Sequence, residues 1–489
     1  MASLVFTPAH RLAQMIKERS VSSLEVVEAY LTQIEQHNSA VKAICTLDAD
    51  NARARARQAD KALAAGELWG ALHGVPVTVK DFYETAGIRT TAGYKPLRNY
   101  VPKQNATVVS RLLSAGAILL GKTNLSNLTY QSSNDVFPRT NNPWNLDYTP
   151  GGTSSGSAAA IAAGFSALDV GSDFAGSIRQ PAHCCGIYGL KPTDGRVSSA
   201  GDLLEVPGSP HCIRQMLVPG PMARSVEDLK LCFSLIAGSD SRRPDIPPVP
   251  LDELKKKPLA ELRLAWSDSF RVPVANDIQK ALRHCVGQLT ESGAFVENWA
   301  PSDFDWTAVQ KLYYRLASHI CRYAQPTDFD RVQKQLNFIW QSSTQGDSQL
   351  RKSGTPAQVL KEVFAPTLKS YFENLTERDL IIAQLDQLLE PWDAWLIPVA
   401  ATAAFTHRPD WKPIEIDGVS YPNAIANGAY TMPLNLSSHP VVVIPIGQTQ
   451  EGLPIGMQIV GKRWREMELL EISQQIDEVV NAFQSPPGY

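Results

Sequence analysis

Two clusters of hydroxyl-bearing residues set among glycines dominate the chemistry this chain could support. Residues 151–160, GGTSSGSAAA, contain only Gly, Ser, Thr and Ala, and a second cluster follows at GSDFAGS, 171–177. A turn leading into a tightly packed alanine helix accounts for the small residues but not for hydroxyls that occur twice beside glycine. Upstream, the β-branched run VPVTVK (75–80) reads as a strand ending on Lys80. A lysine at a strand end ordinarily extends its ammonium to water. Buried, the same amine loses basicity and can act as a proton acceptor. A serine hydroxyl needs such an adjacent base before it becomes a useful nucleophile.

Two shorter motifs carry less. Gly116, Gly121, Lys122 and Thr123 have the spacing of a phosphate-binding loop, but the four residues between the glycines are all apolar and read as a strand. Gly152 to Gly156 has the spacing of a nucleophile elbow, which requires a buried strand just before it, whereas DYTPGG supplies a turn. His183 lies near the second cluster, and His73 and His439 flank apolar runs, yet no spacing pairs a histidine with a serine of the clusters. No two-histidine spacing with a carboxylate partner suggests a metal site, so neither a metal nor another cofactor is expected.

The elements that must position these groups alternate. Ser22 and Glu25 form a capping-box pattern before Val26, Val27, Tyr30, Leu31 and Ile34 at helical spacing. The first 65 residues therefore read as helices broken by the strand-like VKAICTL. Residues 107–115 read as a helix, AILLG (117–121) as a buried strand, and a further helix is expected from about Thr123. This alternation predicts an α/β fold with a mixed central sheet covered by helices on both faces. Residues 241–390 are more charged and proline-rich at their start and then helical, and read as an insertion or cap. Apolar runs return at AWLIPVA (394–400), PVVVIPIG (440–447) and GMQIVG (456–461). One large domain spanning 1–489 is expected, with an N-terminal helical region (1–65), a core (66–240), the helical insertion (241–390) and a return to the core sheet (391–489).

The whole run from Pro150 to Thr193, PGGTSSGSAAAIAAGFSALDVGSDFAGSIRQPAHCCGIYGLKPT, resembles the signature of the amidase signature family of serine hydrolases. The likeness extends to GVPVTVKD (74–81), AGAILLGKTN (115–124), NNPWN (141–145), VPGPMARSVEDL (218–229) and PIGMQIVG (454–461). By position, the resemblance implies Ser177 as nucleophile, Lys80 as general base and Thr153 as the relay between them. Thr153 is a departure, because the family has a serine there in a cis peptide bond. The backbone N–H groups of Phe174, Ala175, Gly176 and Ser177 correspond to the oxyanion hole, with Ala175 standing where glycine is usual. Ser154, Asp173 and Arg179 match positions that support the site by hydrogen bonding.

The resemblance implies an amidohydrolase that cleaves a carbon–nitrogen bond other than a peptide bond through a serine acyl-enzyme. A free-standing amidase is the first expectation, on the departures at Thr153 and Ala175 and on the aromatic-bearing central region. The alternatives are the ammonia-releasing subunit of a tRNA-dependent amidotransferase and a catalytically impaired binding protein on the same fold. Trp306, Tyr313, Tyr314, Phe338, Trp340 and Phe364 offer a lining for an apolar acyl group, although such spacing more often marks a helix core. The 489 residues hold 46 basic and 49 acidic side chains, a balance with no electrostatic footprint for nucleic acid or an anionic membrane. The expected partner is thus a small-molecule amide, with no nucleic acid, no membrane and a homodimer as the ordinary prior. Seven scattered cysteines form no disulfide framework, and the N-terminus shows no basic region before a long apolar one. Both point to the cytoplasm.

Overall fold

The computed structural model describes residues 2–126, 134–203, 211–253, 256–302, 304–324, 367–408 and 412–489. Its central strands are β4 (Asp169–Asp173), β5 (Tyr188–Lys191), β6 (Val218–Ala223), β7 (Arg263–Trp266), β8 (Phe295–Asn298), β9 (Ala394–Pro398), β12 (Val441–Gln448) and β13 (Pro454–Val460). They form an eight-stranded mixed sheet in the order β4-β6-β5-β12-β13-β9-β7-β8. Pairing is antiparallel from β4 to β9 and parallel through β7 and β8. The three apolar runs of the C-terminal part become β9, β12 and β13, and the last two form the middle of the sheet, where β-branched residues covered on both faces pack best.

A smaller sheet carries the lysine. It comprises β1 (Ile44–Leu47), β2 (Pro76–Lys80) and β3 (Ile118–Thr123) in the order β1-β3-β2. Thr78 N–H donates to the Leu168 carbonyl at 3.1 Å and Ala167 N–H to that of Pro76 at 3.3 Å. These bonds lay β2 beside the entry to β4, so the end of one sheet adjoins the edge of the other. A separate hairpin pairs β10 (Ile414–Ile416) with β11 (Val419–Tyr421).

The phosphate-loop spacing is strand β3, as its apolar interior implies. Of the helix expected from about Thr123, residues 124–126 are not helical and residues 127–133 lie outside the described ones. The region 241–390 is not purely a helical insertion. Its β7 and β8 extend the large sheet, and four-residue strands such as FVEN, largely exposed at the sheet edge, leave too short a pattern to read. The helix Trp306–Ala324 is fastened by a cluster of rings. Phe270 lies 4.7 Å from Trp306 and 5.0 Å from Trp395, contacts worth about 0.5–1.5 kcal/mol each beyond the area buried. Trp306, Tyr313 and Tyr314 are buried core residues, while Phe338, Trp340 and Phe364 lie outside the described residues. Among the described residues no helix is long and apolar enough to cross a membrane.

Candidate active site

Lys80, the last residue of β2, is fully buried. Its Nζ donates to Thr153 Oγ1 at 2.8 Å, Ser154 Oγ at 3.0 Å and Ser172 Oγ at 2.9 Å. An ammonium has three protons to place, and each meets a hydroxyl. Burial lowers its pKa to about 7, against the opposing charges of Asp169, Asp173 and Asp202. The environment therefore holds the amine near the point where it loses its proton at neutral pH.

The first hydroxyl cluster reaches the lysine because its backbone packs without side chains in the way. A Cβ on Gly156 would stand 2.3 Å from the Asn124 carbonyl oxygen, so only glycine lets the helix Ser155–Ala162 start against the end of β3. Gly152 and Thr153 form the turn before that helix, as the sequence implies for the elbow-like spacing. Every peptide bond among the described residues is trans, including those around Thr153, unlike the cis bond that the resemblance implied. Ser154 Oγ also accepts from Ser172 N–H at 3.3 Å.

The second cluster is organised by one carboxylate. Asp173 and Arg179 are both fully buried and paired through two N–H donors, Nε and Nη2, each at 3.0 Å. The carboxylate also accepts from Gly176 N–H at 2.8 Å and Ile178 N–H at 3.1 Å. Burial pushes the Asp173 carboxyl up, but the charge and hydrogen bonds of Arg179, with Asn435, outweigh it and hold it well below the usual carboxylate range. Arg179 further reaches Gln458 Oε1 at 2.9 Å and the Thr431 carbonyl at 3.0 Å. The pair thus ties the loop before the helix Arg179–Cys185 to β13 and to the helix Met432–Leu436.

Gly176 sits at φ +110°, and a Cβ there would lie 2.7 Å from Thr431 Oγ1. Its N–H is taken by Asp173, which leaves it unavailable to an oxyanion. The N–H groups of Phe174, Ala175 and Ser177 have no hydrogen-bond partner among the described residues. Of the four, only Ala175 and Ser177 line the adjoining cavity of about 120 Å³. The four donors that the resemblance implied at 174–177 therefore reduce to two that can face a ligand.

That cavity is lined by Thr153, Ser177, Gln180, Arg408, Asn427 and Met432 among others. It lies below the roughly 300–1,000 Å³ of sites for drug-sized ligands, so it suits a small acyl group. Trp306, Tyr313 and Tyr314 do not line it. Thr153 is the one of the three hydroxyl partners of Lys80 that does. No hydrogen bond joins Thr153 Oγ1 to Ser177 Oγ among the described residues, although both line the cavity. Such contacts commonly tighten only when substrate is bound.

Sequence reasoning missed Ser172 and the outer ties at Thr431, Asn435 and Tyr313. Ser172 was within reach, because a buried ammonium needs a third acceptor and Ser172 stands inside the second cluster. The others come from residues more than 130 positions away, which only the fold brings close. Among the described residues no group of three or more His, Cys, Asp or Glu could hold a metal ion.

Comparison with known proteins places this arrangement. The chain is 35% identical over 497 aligned residues to a glutamyl-tRNA(Gln) amidotransferase subunit of Roseiflexus castenholzii, covering 97% of each. It is 33% identical to the subunit of the same name from Desulforamulus reducens, covering 96% of each. In fold it is similar to the peptide amidase of Stenotrophomonas maltophilia, with a TM-score of 0.77, 25% identity and 98% of each chain covered. The first two relatives correct the expectation of a small-molecule amidase with no nucleic acid and no partner beyond itself, since they are named as one subunit of a glutamyl-tRNA(Gln) amidotransferase. A balanced net charge is a sum over the whole surface, and it excludes neither a local basic patch nor a protein partner. The Amidase family model matches residues 25–470, and with the α/β fold and its lysine–hydroxyl centre the chain belongs to the Amidase family, among the amidase signature enzymes.

Proposed function

We propose that this protein is the amide-cleaving subunit of a tRNA-dependent amidotransferase, releasing ammonia from a small carboxamide by cutting a carbon–nitrogen bond that is not a peptide bond. The observation that carries the proposal is the likeness to amidotransferase subunits across nearly the full length of both chains. The site supports the chemistry. Lys80, neutral, draws a proton through Thr153 from Ser177, whose Oγ attacks the carbonyl carbon. The N–H groups of Ala175 and Ser177 hold the oxyanion. The C–N bond breaks as the proton returns through the same hydroxyl to the leaving nitrogen, and water then cleaves the acyl-serine ester. Thr153 suits the relay because it alone among the lysine's three hydroxyls lines the cavity, whereas Ser154 and Ser172 hold the amine from behind. Seven cysteines with no disulfide among them fit a reducing, cytoplasmic setting.

The test has two parts. Ser177→Ala should abolish both ammonia release and covalent labelling by a fluorophosphonate, and retained labelling would overturn the nucleophile. The subunit reading predicts that the protein co-purifies with a heteromeric partner and that glutaminase activity rises in that complex. Full activity of the isolated chain, with no partner recovered from its own cells, would overturn the amidotransferase assignment and leave the amidase chemistry standing.

A further inference from the structure

Ala175 and Ser177 line the cavity with N–H groups that have no partner among the described residues, and what holds the carbonyls on the other side sets the direction of their peptide planes. In a trans peptide the C=O of one residue and the N–H of the next point in opposite directions. The Gly176 carbonyl accepts from Gln180 N–H at 2.8 Å, which fixes the plane carrying Ser177 N–H. The Ala175 carbonyl accepts from Thr431 Oγ1 at 2.8 Å, and the N–H at the far end of that plane, on Gly176, goes to Asp173. The Phe174 carbonyl accepts from Tyr313 Oη at 3.0 Å. Its plane carries Ala175 N–H, one of the two unpartnered donors on residues that line the cavity.

Tyr313 belongs to the helix Trp306–Ala324, outside every stretch that resembles the signature. It is 1% exposed, and its ring lies 5.9 Å from that of Phe174. Neither Tyr313 nor Phe174 lines the cavity, so neither touches a substrate held there. Without the phenol, the Phe174–Ala175 peptide is the one plane of the loop lacking a hydrogen bond at either end, free to swing its N–H away from the oxyanion.

We propose that Tyr313 is a positioning residue for the oxyanion hole, orienting the Ala175 N–H through the Phe174 carbonyl, so that the central helical region completes a catalytic loop it does not belong to. The proposal rests on the reading of Ser177 as nucleophile. It also gives Phe174 a purpose, since its ring packs on Tyr313 and keeps the two partners in register.

The experiment is Tyr313→Phe in the full chain, assayed with a carboxamide substrate and with an aldehyde analogue that forms a tetrahedral adduct on the serine. Removing an oxyanion donor outright costs about 100- to 1,000-fold in kcat. Loosening one should cost less, on the order of 10-fold, with KM unchanged and the inhibition constant of the aldehyde raised by the same factor. The pH at half-maximal rate should not move, because Lys80 is untouched. If Tyr313→Phe folds poorly, the ratio of the aldehyde's inhibition constant to KM still decides, since neither depends on how much enzyme is folded. An unchanged ratio would overturn the proposal, and so would a rise in KM matching the loss in kcat/KM. Fluorophosphonate labelling of the unmutated protein, lost in Ser177→Ala, separates the two readings. With labelling intact and the ratio unchanged, only the role of Tyr313 fails.

Discussion

Thr153 Oγ1 lies 2.8 Å from Lys80 Nζ, so the threonine that departs from the family's serine keeps its oxygen on the amine. The extra methyl does not displace it. Thr153→Ser should therefore retain activity within a few-fold, whereas Thr153→Val, of similar volume, should lose about 100-fold or more, the usual size of a proton-transfer contribution. Steady-state ammonia release measures both. Valine at unmutated rates would show that Ser154 or water carries the proton.

Lys80 sets the pH dependence. With its pKa near 7 in the folded state, kcat/KM should rise as pH increases through about 7 and level off above it, because only the neutral amine is a base. Stability follows the same group in the same direction. Below about pH 7 folded and unfolded chains both hold the proton, and the folded chain bears the full cost of a buried charge. Between there and the ordinary value of 10.5 the unfolded chain binds more protons, so stability rises with pH. Lys80→Met should remove that rise, seen as a flatter curve of Tm against pH. Asp169, fully buried and accepting from Thr78 Oγ1 at 2.6 Å, is the leading charge opposing the shift. Asp169→Asn should move the rise in rate to lower pH, and a move upward would refute that role.

Much of this site could be read from sequence for a specific reason. Lys80, Thr153, Ser154, Asp173, Ser177 and Arg179 were assigned by resemblance to the amidase signature, in runs whose glycines are dictated by close backbone approach, such as Gly156 against Asn124. Residues of that kind leave a local trace. Which N–H groups are free does not, because it depends on Asp173 choosing Gly176 and on Tyr313 and Thr431 arriving from distant helices. The fold shows the same division. The long apolar runs announced β12 and β13, while β7 and β8 were hidden in a stretch whose helices are longer and whose strands are four residues each. Charge balance misled about partners because it sums over a surface and says nothing about a shared one.

The Asp173–Arg179 pair makes a prediction about stability. Both side chains are fully buried, and removing one leaves the other charged and unpaired, at a cost of about 3–5 kcal/mol. Asp173→Asn and Arg179→Met should each lower stability by that order in denaturant unfolding. The double variant should lose clearly less than the two single losses added together. Additive losses would mean that the two residues act through separate partners.

Arg408 predicts which carboxamides the cavity accepts. Burial, with the nearby Arg139, lowers the pKa of His407 to about 4, and burial also lowers that of His183, so both rings are neutral at pH 7. Among the described lining residues Arg408 is then the only cation. Its Nη1 already donates to the Pro413 carbonyl, and the guanidinium's charge favours any ligand that brings an anionic acceptor. An amide carrying a carboxylate at its far end supplies one, with a hydrogen bond worth about 1.5–3 kcal/mol. Arg408→Met should accordingly raise KM for glutamine by about 10-fold or more, by the same conversion of free energy to affinity. KM for butyramide, which has the amide and no charge, should stay the same. Equal effects on both substrates would mean that the arginine shapes the cavity wall without reading charge.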